Sequence, residues 1–142
     1  MPILAQIADA IVAELNAAEF SQSFVAVRSY LPRFDLPDMK SLHVTVVPKA
    51  VQILPGTRVH NQHDFQVDVA VQQKLTAIHS DQIDPLMRLV EEIADHLRLK
   101  RLEGFSGATC VGVENEPVYS QEHLDQLGQF TSVLTFTFRM MR

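Results

Sequence analysis

The chain has 142 residues, 46% of them apolar and 20% charged, which is enough for one domain with a full hydrophobic core. Its formal net charge of −5 excludes the broad basic surface that non-specific binding to nucleic acid requires. The single cysteine, Cys110, excludes an internal disulfide and a zinc site built from several cysteines. From the length of the chain we expect one domain over residues 1–142.

The first 40 residues predict a helix, a short strand and an apolar loop. Apolar side chains recur at helical spacing over residues 3–17, namely Leu4, Ile7, Ile11 and Leu15. This segment contains Asp9 and no basic residue, so it does not resemble a secretory signal peptide. Residues 24–30 form a β-rich run. Two prolines interrupt residues 31–39, which predicts an apolar loop that either folds onto the core or forms a docking surface.

The middle of the chain predicts two strands joined by a long polar loop. Apolar residues alternate from Leu42 onward, and their phase shifts near Val47 and Pro48, which predicts a β-bulge there. Pro55 and Gly56 begin the connecting loop. The partner strand places one set of apolar side chains on a single face, namely Phe65, Val67, Val69 and Val71.

The C-terminal half predicts a helix followed by two strands. Asp84 is a suitable N-cap, Pro85 suits the first helical position, and Gly104 can end the segment. The stripe expected to be buried on this helix consists of Leu86, Val90, Ile93 and Leu97. Residues 109–114 and 133–140 read as strands, with one helical turn around residues 122–127 between them.

The predicted order of elements is α-β-β-β-α-β-β. It favours an α+β domain with a mostly antiparallel or mixed five-stranded sheet, two main helices packed on one face, and a long β-arm between strands 2 and 3. A crossover through the second helix would make one neighbouring pair of strands parallel.

One grouping of side chains suggests chemistry. His60, His63 and Asp64 form H-x-x-H-D in the connecting loop, and two imidazoles with a carboxylate can hold a divalent metal. Nothing in the sequence supplies the supporting contacts that orient metal ligands, so a solvated polar loop is the competing interpretation. There is no phosphate-binding or nucleophile-elbow motif, and we predict no catalytic residue, metal or cofactor.

Charge is distributed unevenly along the chain. No Lys or Arg lies between Arg101 and Arg139, whereas acidic residues are frequent there, namely Glu103, Glu114, Glu116, Glu122 and Asp125. Basic residues are frequent in the first half, namely Arg28, Arg33, Lys49, Arg58 and Lys74. These are either ordinary surface charges or partners for Glu116 and Glu122 of a neighbouring copy. A head-to-tail ring would bring unlike surfaces together in that way.

The chain resembles the phage tail terminators of long, non-contractile tails, also called tail completion or minor tail proteins. Four segments carry the resemblance: YLPRFDLPDMKSLHVTVVPK at 30–49, DFQVDVAVQQKL at 64–75, LMRLVEEIADHLR at 86–98, and ENEPVYSQEHL…QFTSVLTFTFR within 114–139. They follow the order found in the family and span most of the chain.

The resemblance implies a structural virion protein that caps the tail tube as a hexameric ring. It also implies that the protein can stay monomeric or weakly associated in the host cytoplasm until it meets the tail. It implies contacts with the major tail protein on one side and with head-completion or neck proteins on the other, with no active site. The candidate ring or tube contacts are Arg33, Phe34, Leu36, Met39, Arg58, His60 and His63. DNA passes through such a ring without specific binding, so some of Glu103, Glu114, Glu116, Glu122 and Asp125 are expected to face an acidic lumen.

Three other functions fit the same sequence. A head-tail connector or stopper of the neck also needs a small α+β domain and contacts between copies. A small metal-binding protein or enzyme would use His60, His63 and Asp64. A non-viral adaptor domain would bind a partner without forming a ring.

Overall fold

The computed structural model describes residues 1–30, 41–98, 102, 104, 105 and 107–142. The predicted apolar loop at 31–39 lies outside them. The elements are α1 (Ile3–Ala17), β1 (Ala26–Arg28), β2 (His43–Pro55), β3 (Asn61–Lys74), α2 (Ser80–Leu97), β4 (Thr109–Glu114), α3 (Gln121–Leu127) and β5 (Gln129–Met141). In this part of the chain, no helix combines the length and apolar character needed to cross a membrane.

The strands form one mixed five-stranded sheet in the order β1-β2-β3-β5-β4. All neighbouring strands are antiparallel except β1 and β2, which are parallel. The predicted α+β class and order of elements are confirmed. The neighbouring parallel pair that a crossover through the second helix could make is not formed. Although α2 connects β3 to β4 and these two strands run in the same direction, β5 lies between them.

The core lies between one face of the sheet and the helices α1 and α2. This helix-side face carries buried residues of β3 and β5, namely Phe65, Val67, Val69, Val71, Leu134, Phe136 and Phe138. Ile7 and Ile11 of α1 and Ile93 of α2 pack into the same cluster and are fully buried. Burying each such side chain stabilises the fold by about 1.5–3 kcal/mol, so this layer dominates stability.

Helix α2 begins earlier than the sequence predicts. His79 is its N-cap and accepts a hydrogen bond from the Asp81 backbone N–H at 3.2 Å, so Pro85 lies inside the helix rather than at its start. A proline there removes one intrahelical hydrogen bond. The extra turn is held from outside, because the Gln82 side-chain oxygen accepts from the Thr76 backbone N–H at 3.0 Å.

The short helix α3 lies on the opposite, far face of the sheet. Its N-cap is Ser120, whose hydroxyl accepts from the His123 backbone N–H at 3.2 Å. The helix ends at Gly128, whose φ of 60° is a left-handed conformation that favours glycine. The His123 imidazole contacts the hydroxyl of Thr131 at 2.9 Å, and Thr131 projects from the far face. The two main helices therefore share one face, as predicted, and α3 covers part of the other.

Candidate assembly surfaces

The outer part of the β2–β3 hairpin, residues 49–64, extends beyond the helices, and we call it the arm. Strands β2 and β3 stay paired from His43↔Gln72 to Pro55↔Asn61, with a register shift between Pro48 and Ala50. This shift confirms the predicted bulge. Residues 56–60 close the hairpin, where the Thr57 backbone N–H donates to the His60 carbonyl at 2.8 Å.

The arm is supported on one side by the C-terminal end of β5. Gln62 pairs with Met141, and Arg142 exchanges two backbone hydrogen bonds with Asn61, at 2.7 and 3.0 Å. The arm is therefore the end of a three-stranded sheet rather than an isolated hairpin, which would be only marginally stable in water. The alternation of apolar residues up to Met140 was the sequence signal for this support.

The helix-side face of the arm is apolar and uncovered. Val51 pairs with Phe65, and Ile53 pairs with His63, so all four side chains project from the face that carries the core. Beyond the helices, however, Val51 is 45% exposed and Ile53 is 57% exposed. The His63 imidazole stacks on the Phe65 ring at 5.9 Å between ring centroids. The core layer thus continues into a strip that nothing in the described chain covers, as expected for a contact surface.

The far face of the arm is polar and held by an ion pair. The Arg139 guanidinium donates to both carboxylate oxygens of Asp64, at 2.9 and 3.2 Å, and Asp64 is buried. This hydrogen bonding holds the pKa of the Asp64 carboxyl below its usual value. Four residues along β3 toward the centre of the sheet, Asp68 accepts from the Thr135 hydroxyl at 2.6 Å and lies 3.7 Å from the Lys49 ammonium. The arm is accordingly stiffened on this face.

The three residues of the metal hypothesis are not brought together. His60 is exposed in the hairpin loop, and His63 and Asp64 project to opposite faces of β3, as neighbours in a strand do. Asp64 is bound to Arg139. Within the described ranges, no three His, Cys, Asp or Glu side chains form a group able to hold a metal ion. Cys110, in β4, is buried, and its thiol donates to the Gly112 carbonyl at 3.6 Å.

The predicted contact residues that the structure describes all lie in the arm. Arg58 and His60 are exposed at the tip of the arm, and Val59 between them is 79% exposed. His63 is half-buried beside Phe65. The remaining candidates lie outside the described residues, namely Arg33, Phe34, Leu36 and Met39.

Acidic residues are concentrated at the opposite end of the sheet from the arm. Glu114 ends β4 and pairs with Thr135, which is level with Asp68 near the middle of β3, and the chain continues from there away from the arm. Helix α3 precedes β5, whose first residue pairs with Lys74, at the end of β3 farthest from the arm. The acidic side chains at that end are all exposed, and they are Glu116, Glu122 and Asp125. Glu103 lies outside the described residues. We call this group the acidic corner.

Sequence reasoning missed one buried polar residue. Gln72 of β3 is fully buried on the far face, opposite His43 and Thr131. Neither its side-chain nitrogen nor its side-chain oxygen has a hydrogen-bond partner in the described part of the molecule. The alternation of β3 places Gln72 on the polar face, and only the tertiary packing reveals that this position is buried.

The fold is shared with a virion protein. No family model matches the chain, and no curated protein matches it. Among solved structures, a chain from the virion of a native gene transfer agent (GTA) particle is similar, with a TM-score of 0.58 and 12% sequence identity. The match covers 99% of this chain and 95% of that chain. At this identity the likeness shows the fold, and it does so over nearly the whole of both chains.

Proposed function

We propose that this chain is a structural virion protein that closes into a ring at the head-proximal end of a phage tail. In this role it ends polymerisation of the tail tube and provides the surface to which the head is joined. The observation that carries the proposal is the fold shared, over nearly the whole of both chains, with a chain of the GTA virion. Six copies per ring follow from the resemblance to tail terminators.

The two ends of the sheet suit a ring with two different sides. The arm tip carries Arg58 and exposed Val59, whereas the acidic corner carries Glu122 and Asp125 at the other end of the strands. If the strands run along the ring axis, these groups lie on opposite sides of the ring rather than in one contact between copies. One side then meets the major tail protein, and the other meets the head-completion or neck proteins.

We assign the tube contact to the arm tip. The loop at residues 56–60, with its exposed Val59, extends beyond the body of the domain, where it can reach a neighbouring ring. Arg58, His60 and His63 belong to the arm, and Arg33, Phe34, Leu36 and Met39 remain predicted contacts from the segment that precedes β2. No catalytic residue and no cofactor takes part in this function.

The acidic corner also lines the channel in this proposal. DNA passes through the ring during ejection, and a wall of carboxylates repels the phosphate backbone instead of binding it. We propose that Glu116, Glu122 and Asp125 face the lumen, and Glu103, which lies outside the described residues, remains a predicted lumen residue. An assembled ring whose lumen is lined by Lys and Arg would contradict this assignment.

Deletion of the gene tests the proposed function most directly. Electron microscopy of particles lacking the protein should show tails of abnormal length that carry no heads, and a plasmid copy should restore normal tails. Purified protein mixed with tail tubes should add a cap at one end only. Tails of normal length beside heads that leak DNA would instead identify a stopper of the neck.

Charge reversal separates the two uses of the acidic corner. A chain carrying Glu122→Lys and Asp125→Lys should still cap tails if these residues face the lumen, but DNA ejection should be slower, with a stronger dependence on salt. Replacing both residues by Gln is the matched control, because it removes the negative charge without adding a positive one. Uncapped tails from the Lys variant alone would place these residues in a contact between proteins.

A further inference from the structure

Among the described residues, nothing pairs with the outer edge of strand β2 along the arm. Strand β1 pairs with Val44–Val46, and the last backbone bond on that side within the described ranges joins the Ser29 N–H to the Val46 carbonyl at 2.9 Å. Beyond this point, no described strand lies beside β2, and residues 49–55 are all exposed. Strand edges of this kind present unpaired backbone donors and acceptors, which makes them templates for pairing with another strand.

The other edge of the sheet is also open. Strand β4 pairs with β5 on one side only, and among the described residues nothing pairs with its outer edge. Val111, which is unpaired at a register shift in this strand, is 41% exposed. Each copy therefore carries two unlike open edges, and unlike edges are what a head-to-tail ring joins.

The open parts of the two edges lie at the same level of the sheet, that is, at the same height along the strand direction. Following the pairs across the strands, Cys110 lies level with Phe138, Phe138 with Phe65, and Phe65 with Val51. In the same way, Thr109 lies level with Gln52. Strand β4 therefore occupies the level at which β2 is uncovered, immediately beyond the end of β1.

The direction of β4 and the face that it presents also suit pairing with β2 of a neighbouring copy. Because β2–β3, β3–β5 and β5–β4 are all antiparallel pairs, β4 runs opposite to β2. Rotation about a ring axis along the strands changes neither their direction nor their level, and it keeps the same face of the sheet toward the axis. The β4 strand of a neighbouring copy thus meets β2 in an antiparallel orientation, and the helix-side faces of the two sheets become one continuous face.

The side chains at this junction are complementary. Cys110 and Val51 are both on the helix-side face, so a neighbouring β4 would cover part of the exposed strip of the arm. Glu114, at the end of β4, lies level with Val47, two residues from Lys49, which gives opposite charges at one end of the junction. Pro48 and Pro55 bracket the six residues between them, and β4 is also six residues long. Prolines at both ends limit the pairing to a strand of this length.

We propose that the uncovered edge of β2 in one copy pairs antiparallel with β4 of the next copy, so that the ring closes through a continuous β-sheet. This inference rests on the ring of the proposed function and names the contact that forms it. The partner is a second copy of this chain, and the contact is made chiefly by backbone hydrogen bonds, with the arm strip and the Lys49–Glu114 charges setting the register.

Paired cysteines test the contact. In a Cys110→Ser background, Thr109→Cys is combined in turn with Ala50→Cys, Gln52→Cys or Leu54→Cys, which all project from the far face at steps of two residues. The chains are assembled on tail tubes, oxidised mildly and separated on a non-reducing gel. One of the three pairs should give a ladder up to the closed ring, and Gln52→Cys is expected to be the strongest. Thr109→Cys combined with Gln126→Cys, an exposed position on α3, should give no ladder.

Mixing single-cysteine chains tests the head-to-tail sense. Equal amounts of the Thr109→Cys chain and the Gln52→Cys chain should cross-link only into dimers that contain one of each. Dimers formed efficiently by the Gln52→Cys chain alone would mean that arms pair with arms, which would overturn the proposal.

The proposed function and the proposed contact fail in different ways. Capped tails without a ladder from any of the three pairs overturn the edge pairing and leave the function standing. Wild-type chains that never cap a tail, as seen by electron microscopy, refute the ring itself. Should the cysteine chains not assemble, cryo-electron microscopy of wild-type caps decides the same point, since a strand of the neighbour either lies beside residues 49–54 or does not.

Discussion

Strands β2 and β3 pass through two environments, one in which helices cover the helix-side face of the sheet and one in which they do not. In the covered half, Val67 and Val69 are fully buried beneath α1 and α2. In the arm, Val51 and Ile53 project from the same face and are about half exposed, at 45% and 57%. The residue types and the alternation are the same in both halves. Alternation therefore specifies which face is to be buried, but it does not specify whether the chain's own helices or another molecule will bury it.

The largest effect should come from truncating a side chain of the covered half. Phe136→Ala removes a fully buried ring from the core, and we expect the free energy of unfolding to fall by about 3–5 kcal/mol. Urea denaturation followed by circular dichroism measures this change. Val51→Ala in the arm is the control and should cost within about 0.5 kcal/mol. Equal losses from the two variants would mean that the arm is part of the core rather than a contact surface.

A change on the far face should stabilise the covered half. The buried side chain of Gln72 has no hydrogen-bond partner in the described structure, and an unsatisfied buried polar group costs about 1–3 kcal/mol. We therefore expect Gln72→Leu to raise the free energy of unfolding by about 1–2 kcal/mol. Gln66→Leu, at a half-buried position on the same face, is the matched control and should change it by about 0.5 kcal/mol or less. A destabilised Gln72→Leu chain would show that the amide is satisfied.

The sequence predicted the parts of the fold that local patterns determine. The periodicity of α1, the alternation of β3 and β5 and the bulge after Pro48 all have local causes, and all were confirmed. The predicted start of α2 was wrong because the Asp84–Pro85 signal was outweighed by a cap at His79 and by a hydrogen bond between the Gln82 side chain and the Thr76 backbone. The metal hypothesis relied on the adjacency of His63 and Asp64 in sequence, but neighbouring residues of a strand project to opposite faces of the sheet. The open edges of the sheet depend on strand order, which no local pattern encodes.

The ion pair of the arm should make stability depend on acidity. The pKa of Asp64 is lowered in the folded protein by its hydrogen bonds to Arg139. Its stabilising contribution is therefore fully present above the unfolded-state pKa of about 3.9, and it is lost as the pH falls below that value. The stability difference between wild type and Asp64→Asn should be larger at pH 7 than at pH 3, as measured by urea denaturation at each pH. In an Arg139→Gln background the difference should no longer depend on pH in this way, and persistence of the full dependence would assign it to another cause.

The smallest effect on stability, combined with a complete loss of assembly, is expected when a charge is placed on the exposed strip of the arm. Ile53→Asp places a charge on a surface that is already solvated in the free chain, so the free energy of unfolding should change by about 0.5 kcal/mol or less. In the assembled ring the same carboxylate would be buried without a partner, which is strongly unfavourable, and tails should remain uncapped by electron microscopy.

Ile78→Asp is a closely matched control, because Ile78 is 58% exposed, as Ile53 is 57%, but lies in the connection before α2. Normal caps from the Ile53→Asp chain, or equal loss from both variants, would show that exposure of the strip does not mark a contact. Loss from Ile53→Asp alone would mean that the uncovered half of the sheet is completed by another molecule, as the covered half is completed by its own helices.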